Sequence, residues 1–180
     1  QCSISMISME NVISACNVLS NEIIKQPIFK YYDINDILHG AIDGQKYKVK
    51  KECSKAKSSA KYHHLGKSVS SGTLLINHVP ANAKLFGSNE HESRFIFDLV
   101  YNNKTEIQPQ TISTDSAGSN FVNFALLKLI GREFAPCFKR INNKATMFAG
   151  FDKPSKYKHY FLRPSSQIKE QLIIDEWDNI

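Results

Sequence analysis

Two short stretches decide the fold: "TISTDSAGSN" (residues 111–120) and "HGAIDGQKY" (residues 39–47). The first carries a β-branched run to Asp115 and then to a cluster of small residues, and the second ends an apolar run on Asp43 and Gly44. Taken alone, an Asp-Gly pair after a strand is typical of a turn. Two strand ends of this kind allow a second interpretation, in which the fold brings the two carboxylates together.

Length and composition indicate an ordinary globular domain. The chain has 180 residues, 42% of them hydrophobic and 22% charged, which is enough for one domain with its own core. No apolar run approaches the roughly 18 residues that span a bilayer. The first residues lack a basic leader and an initiator Met, so we expect neither a signal peptide nor a natural N-terminus. The four cysteines contain no C-x-x-C pair, which argues against a zinc knuckle or disulfide framework and fits a reduced cytosol.

The positive charge is concentrated in one segment. Residues 46–67, "KYKVKKECSKAKSSAKYHHLGK", contain eight lysines and one glutamate, a balance of +7, whereas the whole chain carries +6. A basic stripe of this kind is typical of contact with a phosphate backbone. The alternative is a solvated, mobile lysine-rich loop. The candidate DNA contacts are Lys46, Lys48, Lys50, Lys51, Lys57, Lys61, His63 and His64.

The spacing of apolar residues predicts a mixed α/β order. A first helix is predicted over 3–25, closed by Pro27. Strands follow over 33–43, 70–79 and 82–88, then a helix over 88–103, a strand over 107–115, a helix over 119–131, a strand over 133–138 and a final helix over 165–179. We expect Pro80 to separate the second and third strands, and Ser88 or Asn89 to cap the helix after them. The helix over 119–131 is apolar nearly all round and is expected to be buried.

This order of elements is typical of an RNase H-like α/β fold, a mixed sheet flanked by helices. In that fold the first and fourth strands are parallel neighbours. Asp43 and Asp115 would then end adjacent strands at the same edge of the sheet, about 4.8 Å apart. Open α/β sheets place their ligands at such an edge.

Four longer stretches extend this interpretation. They are "DGQKY" (43–47), "NHVPANAKLFGSNEHESRFIFDLVYNN" (77–103), "EIQPQTISTDSAGSNFVNFALLKLIGREFAPCFK" (106–139) and "DEWDNI" (175–180). In this order they resemble the catalytic domain of transposases of the Tn-three family, large bacterial enzymes that move replicative, cointegrate-forming transposons. The resemblance implies a DDE catalytic domain over residues 33–180, incomplete at its C-terminus, after an N-terminal helical segment over 1–32.

The resemblance also implies the chemistry. Asp43 and Asp115 match the first two acidic residues of the family and would bind Mg²⁺ or Mn²⁺ for DNA strand cleavage and strand transfer. The implied partners are DNA, as transposon terminal inverted repeats and target, and a second copy in the full-length parent protein. The implied location is the bacterial cytoplasm, at the nucleoid, with no membrane partner.

Three departures from the family pattern affect these expectations. Ala117 stands where the family has a histidine in an "STDTHG" motif, and lysines replace an arginine-containing segment in 55–67. The family's third acidic residue, a glutamate, lies beyond Ile180. Because the last predicted helix stops at "EWDNI" without a stop signal, we expect a fragment with little or no activity alone. The alternatives are a non-enzymatic DNA-binding remnant and another RNase H-like nuclease.

The run Glu90-His91-Glu92 is a weaker candidate for metal binding. Adjacent residues of a helix point about 100° apart and cannot converge on one ion. We therefore expect these acidic residues to lie in the first turn of a helix, where they favour its dipole. His91 could line the cleft, and His78 is expected to be structural.

Overall fold

The computed structural model describes residues 8–33, 35–50, 53–58, 66–139, 149–161 and 163–179. The chain divides into two compact units, Gln1–Cys137 and Phe138–Ile180. In the described part of the chain, no helix is both long enough and apolar enough to cross a membrane.

The first unit is built on a mixed five-stranded sheet. Its helices are α1 (Met9–Ile24), α2 (Pro27–Lys30), α3 (Ile96–Tyr101) and α4 (Phe121–Leu129), and its strands are β1 (His39–Lys48), β2 (Ser68–Ile76), β3 (Val79–Gly87), β4 (Thr111–Thr114) and β5 (Glu133–Phe134). The strand order is β3-β2-β1-β4-β5. Strands β1, β2 and β3 pair antiparallel, whereas β4 is parallel to β1 and to β5. This is the RNase H-like arrangement, and the predicted parallel pairing of the first and fourth strands is confirmed.

The core joins the sheet to α3 and α4. Alternate residues of β2 are buried, as expected for a strand with one covered face. Among the described residues, the fully buried side chains include the aliphatic residues Leu74, Ile76, Ile96, Leu99, Ile112 and Leu127. Burying each of them contributes about 1.5–3 kcal/mol. This packing fixes the short helix α3 over the sheet, next to the end of β4.

The turn between β2 and β3 differs from the prediction. The chain reverses at Asn77 and His78, whose φ angles of 45° and 67° are both left-handed, as a two-residue hairpin of this type requires. Pro80 lies inside β3 and does not separate the strands. Because β3 is at the edge of the sheet, the N–H that proline lacks is not needed there.

Strand β1 lies further along the chain than the predicted segment 33–43, at His39–Lys48. It continues for five residues beyond Asp43, to Lys48, paired only with β2, because the ladder with β4 ends at Ile42 and Thr114. The prediction that the strand ends at Asp43 was therefore wrong. The antiparallel ladder with the serine-rich start of β2 holds the additional residues, although they lack an apolar pattern.

Helices α3 and α4 are shorter than predicted, and residues 3–7 of the first predicted helix lie outside the described residues. Residues 92–94 form a 3₁₀ turn, and α3 begins only at Ile96, so neither Ser88 nor Asn89 caps a helix. Helix α4 begins after Asn120, whose side chain accepts a hydrogen bond from the N–H of Asn123, and Gly131 follows with a φ of 72°. The expectation that α4 is buried all round was wrong, because only Asn123 and Leu127 are buried within it.

The second unit contains short elements. Strands β6 (Ala149–Gly150) and β7 (Ser166–Gln167) pair in parallel, and a 3₁₀ segment, Pro154–Tyr157, lies between them. Helix α5 (Glu170–Asp175) and a 3₁₀ turn (Trp177–Asn179) replace the longer helix predicted there.

Candidate active site

The structure brings together the two aspartates selected from the sequence. In the parallel ladder Ile42 pairs with Thr114, so Asp43 and Asp115 each follow the same rung on neighbouring strands. Neighbouring strands lie about 4.8 Å apart. Both aspartates are exposed and line one cleft, together with Glu92 and Gly118.

A tight turn holds the Asp115 carboxylate. Its Oδ1 accepts hydrogen bonds from the backbone N–H groups of Ala117, at 2.8 Å, and of Gly118, at 3.2 Å. A Cβ at Gly118 would lie 2.4 Å from Thr114 Oγ1 and 2.8 Å from Ile96 Cδ1, so only glycine fits there. Ala117 acts through its backbone, and this bond does not depend on which side chain occupies the position.

The Asp43 carboxylate is held by a single bond, in which Oδ1 accepts from the N–H of Gly44 at 2.9 Å. Within the described residues, the second oxygen of Asp43 and that of Asp115 have no hydrogen-bond partner. Carboxylate oxygens are the ligands that Mg²⁺ prefers. Among those residues no group of three or more His, Cys, Asp or Glu side chains could hold a metal ion. Two carboxylates would fill part of an octahedral shell and leave the remainder to water and phosphate.

Glu92 is a third carboxylate of the cleft, and the sequence did not identify it as a site residue. It belongs to the 3₁₀ turn and lines the cleft beside Asp43 and Asp115. Burial is the main cause that raises the pKa of the Glu92 carboxyl above its ordinary value, and the charges of Asp115 and Asp43 raise it further. His91 and Lys46 act in the opposite direction. The sequence signal was present in the run 90–92, but it was interpreted on an α-helix that the structure does not contain there.

Asn123 connects the two walls of the cleft. It is buried, and its amide nitrogen donates to the carbonyl of Ser93, at 2.8 Å, and to that of Gly118, at 3.1 Å. The first carbonyl belongs to the turn of Glu92 and the second to the turn of Asp115. At the start of the 3₁₀ turn, His91 Nδ1 accepts from the N–H of Ser93. The two turns are therefore held relative to each other by a side chain of α4.

The candidate DNA-contacting residues do not all lie in a loop. Lys46 and Lys48 lie on the extension of β1 beyond Asp43, and Lys46 Nζ donates to the carbonyl of Ser88 at 2.9 Å. Lys48, Lys50 and Lys57 are exposed. The remaining candidates, Lys51, Lys61, His63 and His64, lie outside the described residues.

Comparisons with known proteins identify the family of the chain. A search of curated proteins finds no match. Two crystal structures are similar, the Mos1 strand transfer complex (TM-score 0.38, 14% identity) and a pre-cleavage Mos1 transpososome (TM-score 0.35, 13% identity). The similarity covers 94% of this chain in the first comparison and 95% in the second. This chain spans about half the length of the Mos1 chains, 53% and 54% respectively. The sequence matches the family described as Tn3 transposase DDE domain over residues 1–180, and the chain therefore belongs to that family.

Proposed function

We propose that this chain carries the metal-binding core of a transposase that cleaves and joins DNA strands at transposon ends during replicative transposition. Membership of the family supports the reaction class. The observation that supports the residue assignment is the β1–β4 register, which sets Asp43 and Asp115 side by side. Open α/β sheets bind their ligands at such an edge.

A DDE domain implies a divalent metal ion, and we assign Mg²⁺, with Mn²⁺ as a substitute. Asp43 and Asp115 would hold it through the oxygens that accept no hydrogen bond within the described residues. When bound, divalent ions lower the pKa of the attacking water or 3′-hydroxyl and stabilise the leaving oxygen. The turn after Asp115 fixes the direction of its carboxylate before DNA binds. A ligand that is already oriented lowers the entropic cost of assembling the reactive geometry.

The lysines beyond Asp43 would bind the DNA backbone. Lys48 lies five residues along β1 from Asp43, about 17 Å at the rise of a strand. DNA whose scissile phosphate lay at the aspartates would therefore extend past Lys48 and Lys50. The substrates would be transposon terminal inverted repeats and target DNA, handled by a dimer of the full-length protein at the bacterial nucleoid. Strand cleavage is expected in a polypeptide that carries all three acidic residues of the family.

Calorimetric titration of the chain with Mn²⁺ tests the assignment. Wild-type protein is expected to bind the ion, and Asp43→Asn and Asp115→Asn are each expected to weaken binding at least tenfold, because each removes one of two charged oxygen ligands. Circular dichroism would establish that both variants are folded. Unchanged affinity in both variants would show that the aspartates are not the metal ligands.

One observation favours a second candidate function, a DNA-binding remnant that has lost its chemistry. Ala117 stands where the family has histidine, and its methyl group offers neither a proton nor a ligand. The same titration separates the two functions, because a remnant would bind DNA without binding Mn²⁺ at Asp43 and Asp115.

A further inference from the structure

We propose that the second unit binds single-stranded DNA through an aromatic–basic segment, residues 151–163, in which bases stack on exposed rings and phosphates pair with the cations between the rings. The candidate DNA contacts of the sequence lie within 46–67, so this segment is a separate binding surface. The choice of DNA as the nucleic acid depends on the proposed function, whereas the surface itself follows from the chemistry of its own residues.

The segment combines aromatic rings with positive charge. Its thirteen residues, "FDKPSKYKHYFLR", contain four aromatic residues and four cations but a single acid, a balance of +3. Aromatic residues make up only 11% of the whole chain. Rings interleaved with cations are the combination by which proteins bind single strands without regard to sequence, because every base has a face that can stack.

Three of the four rings are exposed to solvent. The exposed fraction is 67% for Phe151, 64% for Tyr160 and 84% for Phe161. Phenylalanine is among the residues most often buried in folded proteins, and a ring as exposed as Phe161 adds little to the stability of its own unit. Several exposed rings within one short segment therefore indicate a surface that binds a partner.

The fourth ring, that of Tyr157, holds the segment in place. A Cβ built on Gly150 would lie 2.7 Å from Tyr157 Cε2 and 2.8 Å from its hydroxyl oxygen, so the ring packs directly on strand β6. The same hydroxyl oxygen accepts a hydrogen bond from the N–H of Asp152 at 3.2 Å. Its ring centroid lies 6.0 Å from that of Tyr160. The segment thus folds back on itself before any ligand binds, which lowers the entropic cost of binding.

The cations of the segment lie beside these rings. Lys156 Nζ lies 2.7 Å from the carboxylate of the segment's single acid. Lys153 and Lys158 are exposed, and among the described residues neither of them forms an ion pair. Arg163 is exposed as well, and its Nε donates to the carbonyl of Tyr160 at 3.2 Å, which keeps this charge next to a residue with an exposed ring. Phosphates are attracted by charges placed in this way.

A second exposed apolar patch of the same unit has the opposite charge. Leu172 and Ile174 of helix α5 are 55% and 65% exposed, and Trp177 of the following 3₁₀ turn is 59% exposed. The stretch around them, "EQLIIDEWDN" (170–179), contains four acids and no lysine or arginine. Such a patch repels phosphate. Exposure alone does not distinguish the two patches, and charge complementarity assigns DNA to the aromatic–basic segment only.

Fluorescence anisotropy with two labelled oligonucleotides tests the proposal on the whole chain. The first is a strand of about twelve thymidines, within the site sizes of single-strand binders. The second has the same number of phosphates on abasic sugars. Wild-type protein is expected to bind the thymidine strand about tenfold more tightly, because only bases can stack on the rings. Equal affinity for the two strands would overturn the proposal.

Leucine variants identify the rings responsible. Tyr160→Leu and Phe161→Leu keep an apolar side chain but remove the face on which a base stacks, so each is expected to weaken binding of the thymidine strand about fivefold and to leave binding of the abasic strand unchanged. Trp177→Leu makes the same change on the acidic patch, at a similar exposure, and is expected to bind both strands as wild type does.

Two results with these variants would contradict the proposal. If Tyr160→Leu and Phe161→Leu bind the thymidine strand as wild type does, the rings serve another contact, such as one with a second copy of this chain. If Trp177→Leu loses as much affinity as they do, the position of the ring and the charge around it have no influence on binding.

The Mn²⁺ titration separates this proposal from the proposed function. The leucine variants are expected to bind Mn²⁺ as wild type does, because no residue of 151–163 lines the cleft. If the preference for the thymidine strand is absent while Asp43→Asn and Asp115→Asn weaken metal binding, only the present proposal fails. If the preference is present while both aspartate variants bind Mn²⁺ normally, the proposed function fails and the single-strand surface is retained.

Discussion

The cleft and the extension of β1 lie within a few residues of each other but differ in how precisely their side chains are positioned. Around Asp115, backbone N–H groups, a glycine in contact with Thr114 and Ile96, and the buried amide of Asn123 leave one arrangement for the carboxylate. Beyond Asp43, the strand pairs on one side only and carries the half-buried Lys46 and the exposed Lys48. Metal chemistry needs positions fixed to fractions of an ångström, whereas attraction to phosphate needs charge at approximately the right place. Substitutions should therefore have large and specific effects in the cleft and small, cumulative effects on the extension.

The largest effect is expected from Gly118→Ala. The new methyl group would meet Thr114 Oγ1 at 2.4 Å and Ile96 Cδ1 at 2.8 Å, and both neighbours are buried. Overpacking of this kind should lower the free energy of unfolding by about 3 kcal/mol, measured by urea denaturation. Gly40→Ala is the matched control, since its Cβ would lie 3.1 Å from Leu74 Cδ1 and from Pro109 Cγ. We expect it to cost about 1 kcal/mol, and equal losses in the two variants would show that the turn is not specially tight.

The next effect is that of Asn123→Ala. It leaves the buried carbonyls of Ser93 and Gly118 without their donor, so the free energy of unfolding should fall by about 2 kcal/mol. Metal binding should weaken as well, because the two turns are no longer held together. Asn102→Ala removes an exposed amide that donates to Asp98 and should change stability by less than about 0.5 kcal/mol. A stable Asn123→Ala protein with unchanged Mn²⁺ affinity would contradict the positioning role.

The sequence predicted the arrangement of the sheet better than the walls of the cleft. Alternation in β2 and the apolar run before Asp43 were enough to predict strands, and the order of the elements then predicted that Asp43 and Asp115 lie side by side. These features depend on local pattern and on topology, which a sequence displays directly.

The features that the sequence did not predict depend on interactions between distant residues. Glu92 enters the cleft because its turn is 3₁₀ and not α-helical, and that turn is held by Asn123, thirty residues later. Residues Gly44–Lys48 have no strand-like alternation of apolar side chains, and they extend β1 only because β2 continues beside them. Neither fact can be obtained from spacing within one segment.

A triple substitution of exposed lysines, one on the extension of β1 and two further along the chain, should have a moderate effect. Replacing Lys48, Lys50 and Lys57 by serine is expected to weaken binding to duplex DNA about tenfold at physiological salt. It should also reduce the slope of log affinity against log salt concentration by about one for each phosphate that is no longer neutralised by a lysine. Metal affinity should be unchanged, as measured by Mn²⁺ titration.

The control for this variant makes the same change of charge at three exposed lysines elsewhere, Lys104, Lys128 and Lys169. If DNA affinity and its salt dependence fell equally in both triple variants, binding would reflect net charge alone, and Lys48, Lys50 and Lys57 would have no special role.

The smallest effect is expected in the metal-free protein and depends on pH. Because burial and the neighbouring aspartates raise the pKa of Glu92 above its ordinary value of 4.5, the unfolded chain releases this proton at a lower pH than the folded protein does. As the pH rises through and above 4.5, the wild type therefore loses stability that Glu92→Gln, which has no proton to release, retains. In EDTA the variant should unfold at a higher temperature than wild type at pH 7, and the difference should disappear at about pH 4. Variant and wild type with the same melting temperature across this range would mean that the Glu92 carboxylate is as well solvated in the folded cleft as in the unfolded chain.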